Sequence, residues 1–279
     1  MPSQPLSPDE TCEDAFHSIV TGCLVAFDAA LDEFNTTDRE SGPHKARVAL
    51  RRLTTVLDAF APILRRKHAM VLRERVKHVF RKLGDVRDHD VFLRDHAGDA
   101  ARKDLQREGA ALRDRVRAAL RKSGAGQLAA QIAADVAPDG VLLRQSHEGR
   151  AFRAMRLAEF ARTALEQAWA TCTAYGESIA GLPETTQHDF RKDMKSLRYL
   201  AEFFQTLYPG LAREPFDSDF RAIQDALGAL NDHAVAVERL RRKPGAVLPP
   251  YPDGALAQAE AVWSRLRGET PPWRDQPTR

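Results

Sequence analysis

The segment HKARVALRRLTTVLDAF, residues 44–60, places His44, Lys45, Arg47, Arg51 and Arg52 within nine positions, and no acid occurs from Pro43 to Thr55. In a helix, residues three and four apart share one face, about 5.4 Å per turn. With His44 as the reference direction, His44, Arg47, Arg51, Arg52 and Thr55 fall on one side, and Ala46, Leu50, Leu53, Val56, Leu57 and Phe60 on the other. The apolar side is a core stripe, and the opposite side is a row of cations. Arginine offers forked donors matched to phosphate oxygens, lysine a compact charge, and histidine a neutral donor or a cation. A repeating linear polyanion is the ligand such a row suits.

A second segment, HDFRKDMKSLRYLAEFF at 188–204, divides in the same way. His188, Arg191, Lys192, Lys195 and Tyr199 oppose Phe190, Met194, Leu197, Leu200 and Phe204. Arg73, Lys77 and Arg81 follow the first segment at spacing four, and Lys77 has a basic match at Arg221, while Asp217 and Asp225 replace Arg73 and Arg81. The first half is therefore the more electropositive. Asp58 and Glu202 fall on the basic sides, and each is expected to hold a neighbouring guanidinium, as Arg198 and Glu202 can at i to i+4.

Other chemistries fit less well. Neither His44 nor His188 has a second metal ligand at i+3 or i+4, and the surrounding cations oppose a divalent ion. His89 and His233 follow Asp88 and Asp232 after Leu-Gly, where helix starts with Asp N-caps are expected. No Gly-rich phosphate loop, G-x-S-x-G or H-E-x-x-H is present, so neither catalysis nor a cofactor is expected. Nucleic acid is the main competing polyanion, but aromatics make up only 7% of the chain and only Tyr199 falls on the basic side, which leaves little to stack bases on. A scaffold docking an acidic protein remains a further reading of the same charge.

The net charge is only +3, with 42 basic and 39 acidic residues, so the chain is not a general polycation. Between His44 and Arg94, however, Lys and Arg outnumber Asp and Glu by nine. The three cysteines, Cys12, Cys23 and Cys172, have neither a disulfide pattern nor thiolate metal spacing, and read as reduced core residues. The start MPSQPLSPDETCED lacks a basic region followed by an apolar run, and no unbroken apolar stretch reaches about 18 residues. A cytoplasmic protein without a membrane span is expected.

These side chains need helices to carry them. Apolar residues recur at three and four positions almost throughout, which predicts an all-α chain. Helices are expected near 9–34, 43–64, 69–83, 85–96, 100–122 and 127–136, then 149–179, 184–207, 215–227, 232–242 and 255–267, with 243–254 as a surface connection. The second set repeats the first at an offset of 144. His44, Arg47, Arg51, Leu53 and Phe60 fall on His188, Arg191, Lys195, Leu197 and Phe204, and LGDVRDH at 83 falls on LGALNDH at 227. The chain thus reads as one domain, 8–268. Its repeats are 8–122 and 149–268, joined by 123–148, and 269–279 follows as a flexible tail.

Through HKARVALRRL, HDFRKDMKSLRYLAEFF and the LGDVRDHD/LGALNDH pair, the sequence resembles the CHAD family, the conserved histidine α-helical domain. The resemblance implies two four-helix bundles related by a pseudo-twofold repeat, with a basic cleft between them that binds inorganic polyphosphate and an association with polyphosphate granules. Carried over by position, the ligand set is His44, Arg47, Arg51, Arg52, His188, Arg191, Lys195, Arg198 and Tyr199, flanked by Lys77, Arg81 and Arg221. Two positions depart from the family pattern, Thr54 and Ser196, each lacking a cation that the other copy keeps. Weaker binding than in a fully basic member is the expected result. The ExExK motif of the tunnel domain that some members carry is absent.

Overall fold

A computed structural model of the chain describes residues 2, 4–96, 99–240 and 249–275. These residues form ten α-helices, and the one β-type pairing among them is a bridge between Leu64 and Leu143. The expected all-α class is what is found. The helices separate into two compact units, Met1–Pro5 with Glu10–Met155, and Leu6–Asp9 with Arg156–Arg279.

In the first unit, α1 (Cys12–Thr36) starts where the Thr11 hydroxyl accepts from the Asp14 amide at 3.1 Å, with Glu13 and Asp14 beside the positive end of the helix dipole. Phe16, Ile19, Val20, Leu24, Phe27, Leu31 and Phe34 repeat at three and four residues and are buried. Each such side chain contributes roughly 1.5–3 kcal/mol. This helix is also long and apolar enough to cross a membrane, but half of its apolar stretch lies buried inside the fold.

Helices α2 (Ser41–Ala59), α3 (Arg66–His96) and α4 (Asp99–Lys122) follow, each packed on the helix before it. α5 (Leu128–Val136) packs on α1, where His17 Nε2 donates to the Val136 carbonyl, and α6 (His147–Arg153) packs on the 3₁₀ turn Ala61–Ile63.

The second unit contains α7 (Leu157–Thr173), α8 (Glu184–Phe204), α9 (Phe216–Leu240) and α10 (Ala255–Gly268), again packed in succession. Its core is aromatic: the Trp169 ring lies 5.7 Å from Trp263 and 6.0 Å from Trp273, and Phe190 lies 5.0 Å from Trp263. Measured at the offset of 144, α8 begins 143 residues after α2 (Glu184 against Ser41) and ends 145 after it (Phe204 against Ala59).

Five sequence expectations need correction. Leu83-Gly84-Asp85 does not end a helix, because α3 runs unbroken from Arg66 to His96 with Leu83, Val86, His89 and Asp90 buried along it. Packing on these positions outweighs the roughly 1 kcal/mol propensity cost of a helical glycine. α9 likewise continues through Gly228, so Asp88 and Asp232 are mid-helix and are not N-caps. His89 instead donates from Nε2 to the Leu105 carbonyl at 2.9 Å, tying α3 to α4. The helix expected over 149–179 is two, α6 and α7, divided at Ala154–Arg156 where the units meet in sequence, and Leu142, Leu143 and α5 make 123–148 part of the first unit's core. Finally, 269–275 is not a loose tail: Trp273 is fully buried and donates from Nε1 to Glu166 at 2.9 Å. Residues 241–248 and 276–279, which carry the end of one expected helix, half of the expected connection and the rest of the tail, lie outside the described residues.

Candidate anion-binding faces

In the first unit the cations of α2 do not form a single row. Arg47 and Arg51 turn toward α3, and His44, Lys45 and Arg52 turn toward α1. The Arg47 guanidinium lies 3.9 Å from the centre of the Phe80 ring and donates to the Phe80 carbonyl at 2.8 Å, and Arg51 sits 5.0 Å from the same ring. Phe80 is thus a floor on which two guanidinium groups stack as cation–π pairs, which fixes their planes without consuming all their donors. The Phe80 carbonyl takes one Arg47 donor. Burial pushes the Arg47 pKa down; Asp88 and Asp85 oppose this, while Arg51 and Arg87 add to it. The group is partly desolvated between two arginines and two carboxylates, so an anion meeting it interacts more strongly than at a solvated site.

The α1-facing cations line a groove of about 440 Å³ with Cys23, Ala26 and Ala30 of α1, and Lys45 is held to Glu33 at 3.1 Å. On α3, Lys77 and Arg81 are exposed, Lys77 lying 3.5 Å from Glu74. Arg73 pairs with Asp58 at 2.8 Å and donates to the Leu57 carbonyl at 2.7 Å, so Asp58 holds a guanidinium, as its place on the basic side suggested.

The second unit is organised differently. His188 and Arg191 line a cavity of about 80 Å³ between α8 and α9, together with Glu184, Gln187 and Asn231. Burial lowers the His188 pKa, Lys192 and Arg191 adding to this and Asp189 and a hydrogen bond with Asn231 opposing it. Arg198 pairs with Glu202 at 3.0 Å, the i to i+4 contact expected of it, and Arg221 pairs with Asp217 at 2.5 Å. Lys195 is half-buried on α8. Tyr199 is only 2% exposed, with Arg198 5.2 Å from its ring centre. It is a core residue, so its expected contact with a ligand does not hold: the large apolar ring is drawn inward while its neighbour reaches solvent.

Four residues of this arrangement were missed in the sequence. Phe80 and Gly84 share the face of α3 that carries Arg73 and Lys77, and a helical projection of α3 would have brought them forward. Glu40, which pairs with Arg87 at 3.6 Å, and Asn231 carry no such signal, because their importance depends on the helix opposite. Among the described residues no three His, Cys, Asp or Glu side chains gather in a metal-binding cluster.

Known proteins share this fold. The crystal structure of the CHAD domain from the plant Ricinus communis matches with a TM-score of 0.70 at 19% identity, covering 100% of this chain and 98% of that one. PptA from Streptomyces chartreusis matches with a TM-score of 0.57 at 16% identity, covering 93% and 95%. At these identities the likeness is one of fold. No curated protein matches the sequence. The CHAD domain family model matches residues 18–241, a span that holds all four helices bearing the basic faces, and the chain belongs to the CHAD family.

Proposed function

We propose that this protein binds inorganic polyphosphate without catalysis, in the cytoplasm and at polyphosphate granules. The observation that carries this reading is the pair Arg47 and Arg51 at the Phe80 ring of α3, a helix that also carries the exposed Lys77 and Arg81. Preoriented guanidinium groups about one helical turn apart can each take a different phosphate of a flexible chain, and the stacking lowers the entropy lost when a ligand is grasped. Membership of the CHAD family supports the same ligand.

Titration with long-chain polyphosphate and with single-stranded DNA of equal charge tests the proposal. Polyphosphate should bind more tightly, and its affinity should fall steeply between about 50 and 200 mM salt as counterions are released. Preference for DNA, or an affinity indifferent to salt, would overturn it.

A further inference from the structure

The cavity beside His188 has a counterpart in the first unit that is occupied by protein. Counting back 144 residues, Glu184, Arg191 and Asn231 correspond to Glu40, Arg47 and Arg87. In the first unit Arg87 reaches Glu40 at 3.6 Å, and Arg47 presses so closely on Gly84 that a Cβ there would lie 2.2 Å from its Nη1. In the second unit the arginine opposite the glutamate has become the shorter Asn231, and Gly228, which corresponds to Gly84, has no atom within 4 Å of where its Cβ would be. Of these two positions Asn231 lines the cavity of about 80 Å³, together with Leu227, Leu230 and Ala234. Glu184 and His188 are exposed, so the cavity opens to solvent, and its volume is on the scale of a single tetrahedral oxyanion.

The lining is specific in its chemistry. Arg191 and His188 supply donors to anionic oxygens, Asn231 and Gln187 supply amides, and Glu184 supplies an acceptor that a fully ionised anion would avoid. One phosphate species uses both kinds of group. A phosphoryl group with one bridging bond, or orthophosphate, has a last proton with a pKa near 6, as in phosphorylated side chains, so its monoprotonated form is available at mildly acidic pH. Its anionic oxygens accept from Arg191 and His188 while its P–OH donates to Glu184. Phosphates inside the chain have no such proton, and neither has sulfate.

We propose that the His188–Arg191–Asn231 cavity is a subsite for a single protonated phosphoryl group, the free end of a polyphosphate chain or orthophosphate. This rests on the polyphosphate reading for the first of these sources only.

The experiment compares calorimetric affinities for linear polyphosphate, a cyclic metaphosphate of equal phosphorus count, orthophosphate and sulfate. The proteins are the wild type, Asn231→Arg, which restores the arginine of the first unit, and Glu184→Gln. Docking of chain ends predicts that the linear polymer binds more tightly than the ring by about tenfold, the scale of a charge-assisted hydrogen bond. This ratio should fall to about one in Asn231→Arg, and Glu184→Gln should lose the preference for orthophosphate over sulfate. If linear and cyclic polymers bind alike but orthophosphate binds and is lost in Asn231→Arg, the subsite stands and its ligand is free phosphate. If linear and cyclic polymers bind alike and orthophosphate does not bind, or if a linear preference survives unchanged in Asn231→Arg, the subsite is overturned and the proposed function is untouched. Orthophosphate binding without any polymer binding would uphold the subsite and remove the polyphosphate reading, and no binding of any phosphate would remove both.

Discussion

Gly84 and Arg47 occupy one space: a Cβ on Gly84 would stand 2.2 Å from Arg47 Nη1. The absent side chain on α3 is what lets the guanidinium sit 3.9 Å from the centre of the Phe80 ring. Alanine at 84 therefore displaces the tip of a flexible side chain. The lost hydrogen bond and ring contact cost about 1–2 kcal/mol, which the roughly 1 kcal/mol gain in helix propensity largely offsets. Gly84→Ala should thus leave the melting temperature within a few degrees of wild type while weakening polyphosphate binding. Gly228→Ala, where nothing lies within 4 Å, should gain roughly 0.5–1 kcal/mol in chemical denaturation.

Arginines already held by carboxylates should matter less for binding than those that are stacked. Arg198 and Arg221 are paired with Glu202 and Asp217 inside the second unit. Arg47→Ala with Arg51→Ala should reduce polyphosphate affinity by at least about tenfold and flatten its salt dependence by about two contacts. The double variant Arg198→Ala with Arg221→Ala should reduce it severalfold less. Equal losses in the two variants would contradict the importance given to Phe80.

The buried pair Asp90–Arg113, 2.6 Å apart with side chains 5% and 8% exposed, joins α3 to α4. Burial raises the Asp90 pKa against the opposing pull of Arg113. The native state therefore holds this proton more tightly than the unfolded chain does. Its contribution to stability is complete below the usual carboxylate pKa and is lost as pH rises through the raised value. Arg113→Ala should cost about 3–5 kcal/mol by urea unfolding at neutral pH, whereas Asp90→Leu with Arg113→Met should match or exceed wild type.

The thiols should be silent in the native protein. Cys12, Cys23 and Cys172 are buried, and burial pushes the Cys23 pKa up to about 11 and raises that of Cys172 as well. A thiol-reactive chromophore should label none of them at pH 8 until the chain is unfolded. Stoichiometric labelling under native conditions would show that one of these sites opens readily.

Trp273 should prove part of the core. Its ring packs on Trp169 and Phe216, at 6.0 and 6.3 Å between centroids, and its indole nitrogen is bonded to Glu166. Trp273→Ala should cost about 3–5 kcal/mol. A change under 0.5 kcal/mol in the urea midpoint analysis would restore the reading of this segment as a tail.

How much of the molecule was legible in its sequence depended on the range of the interaction. The core faces of α1, α2 and α8 were readable because burial acts on every third or fourth residue of one helix, and the basic faces because charge recurs at the same register. The Arg198–Glu202 contact was readable because i to i+4 neighbours meet whatever packs around them. Gly84 and Gly228 misled because propensity is a weak local preference that α3 and α9 override by burying Leu83 and Val86 on the one helix and Leu227 and Ala236 on the other.

Composition and periodicity thus determined an all-α chain, and the quoted motifs carried the family resemblance that membership now bears out. Only the tertiary structure decided which cations act together. It divided Arg47 and Arg51 from His44 and Arg52, withdrew Tyr199 into the core, and opened a cavity beside Asn231. The reason is physical: a helix sets the direction of a side chain, but its desolvation, its stacking partner and the space beside it come from another helix far away in sequence.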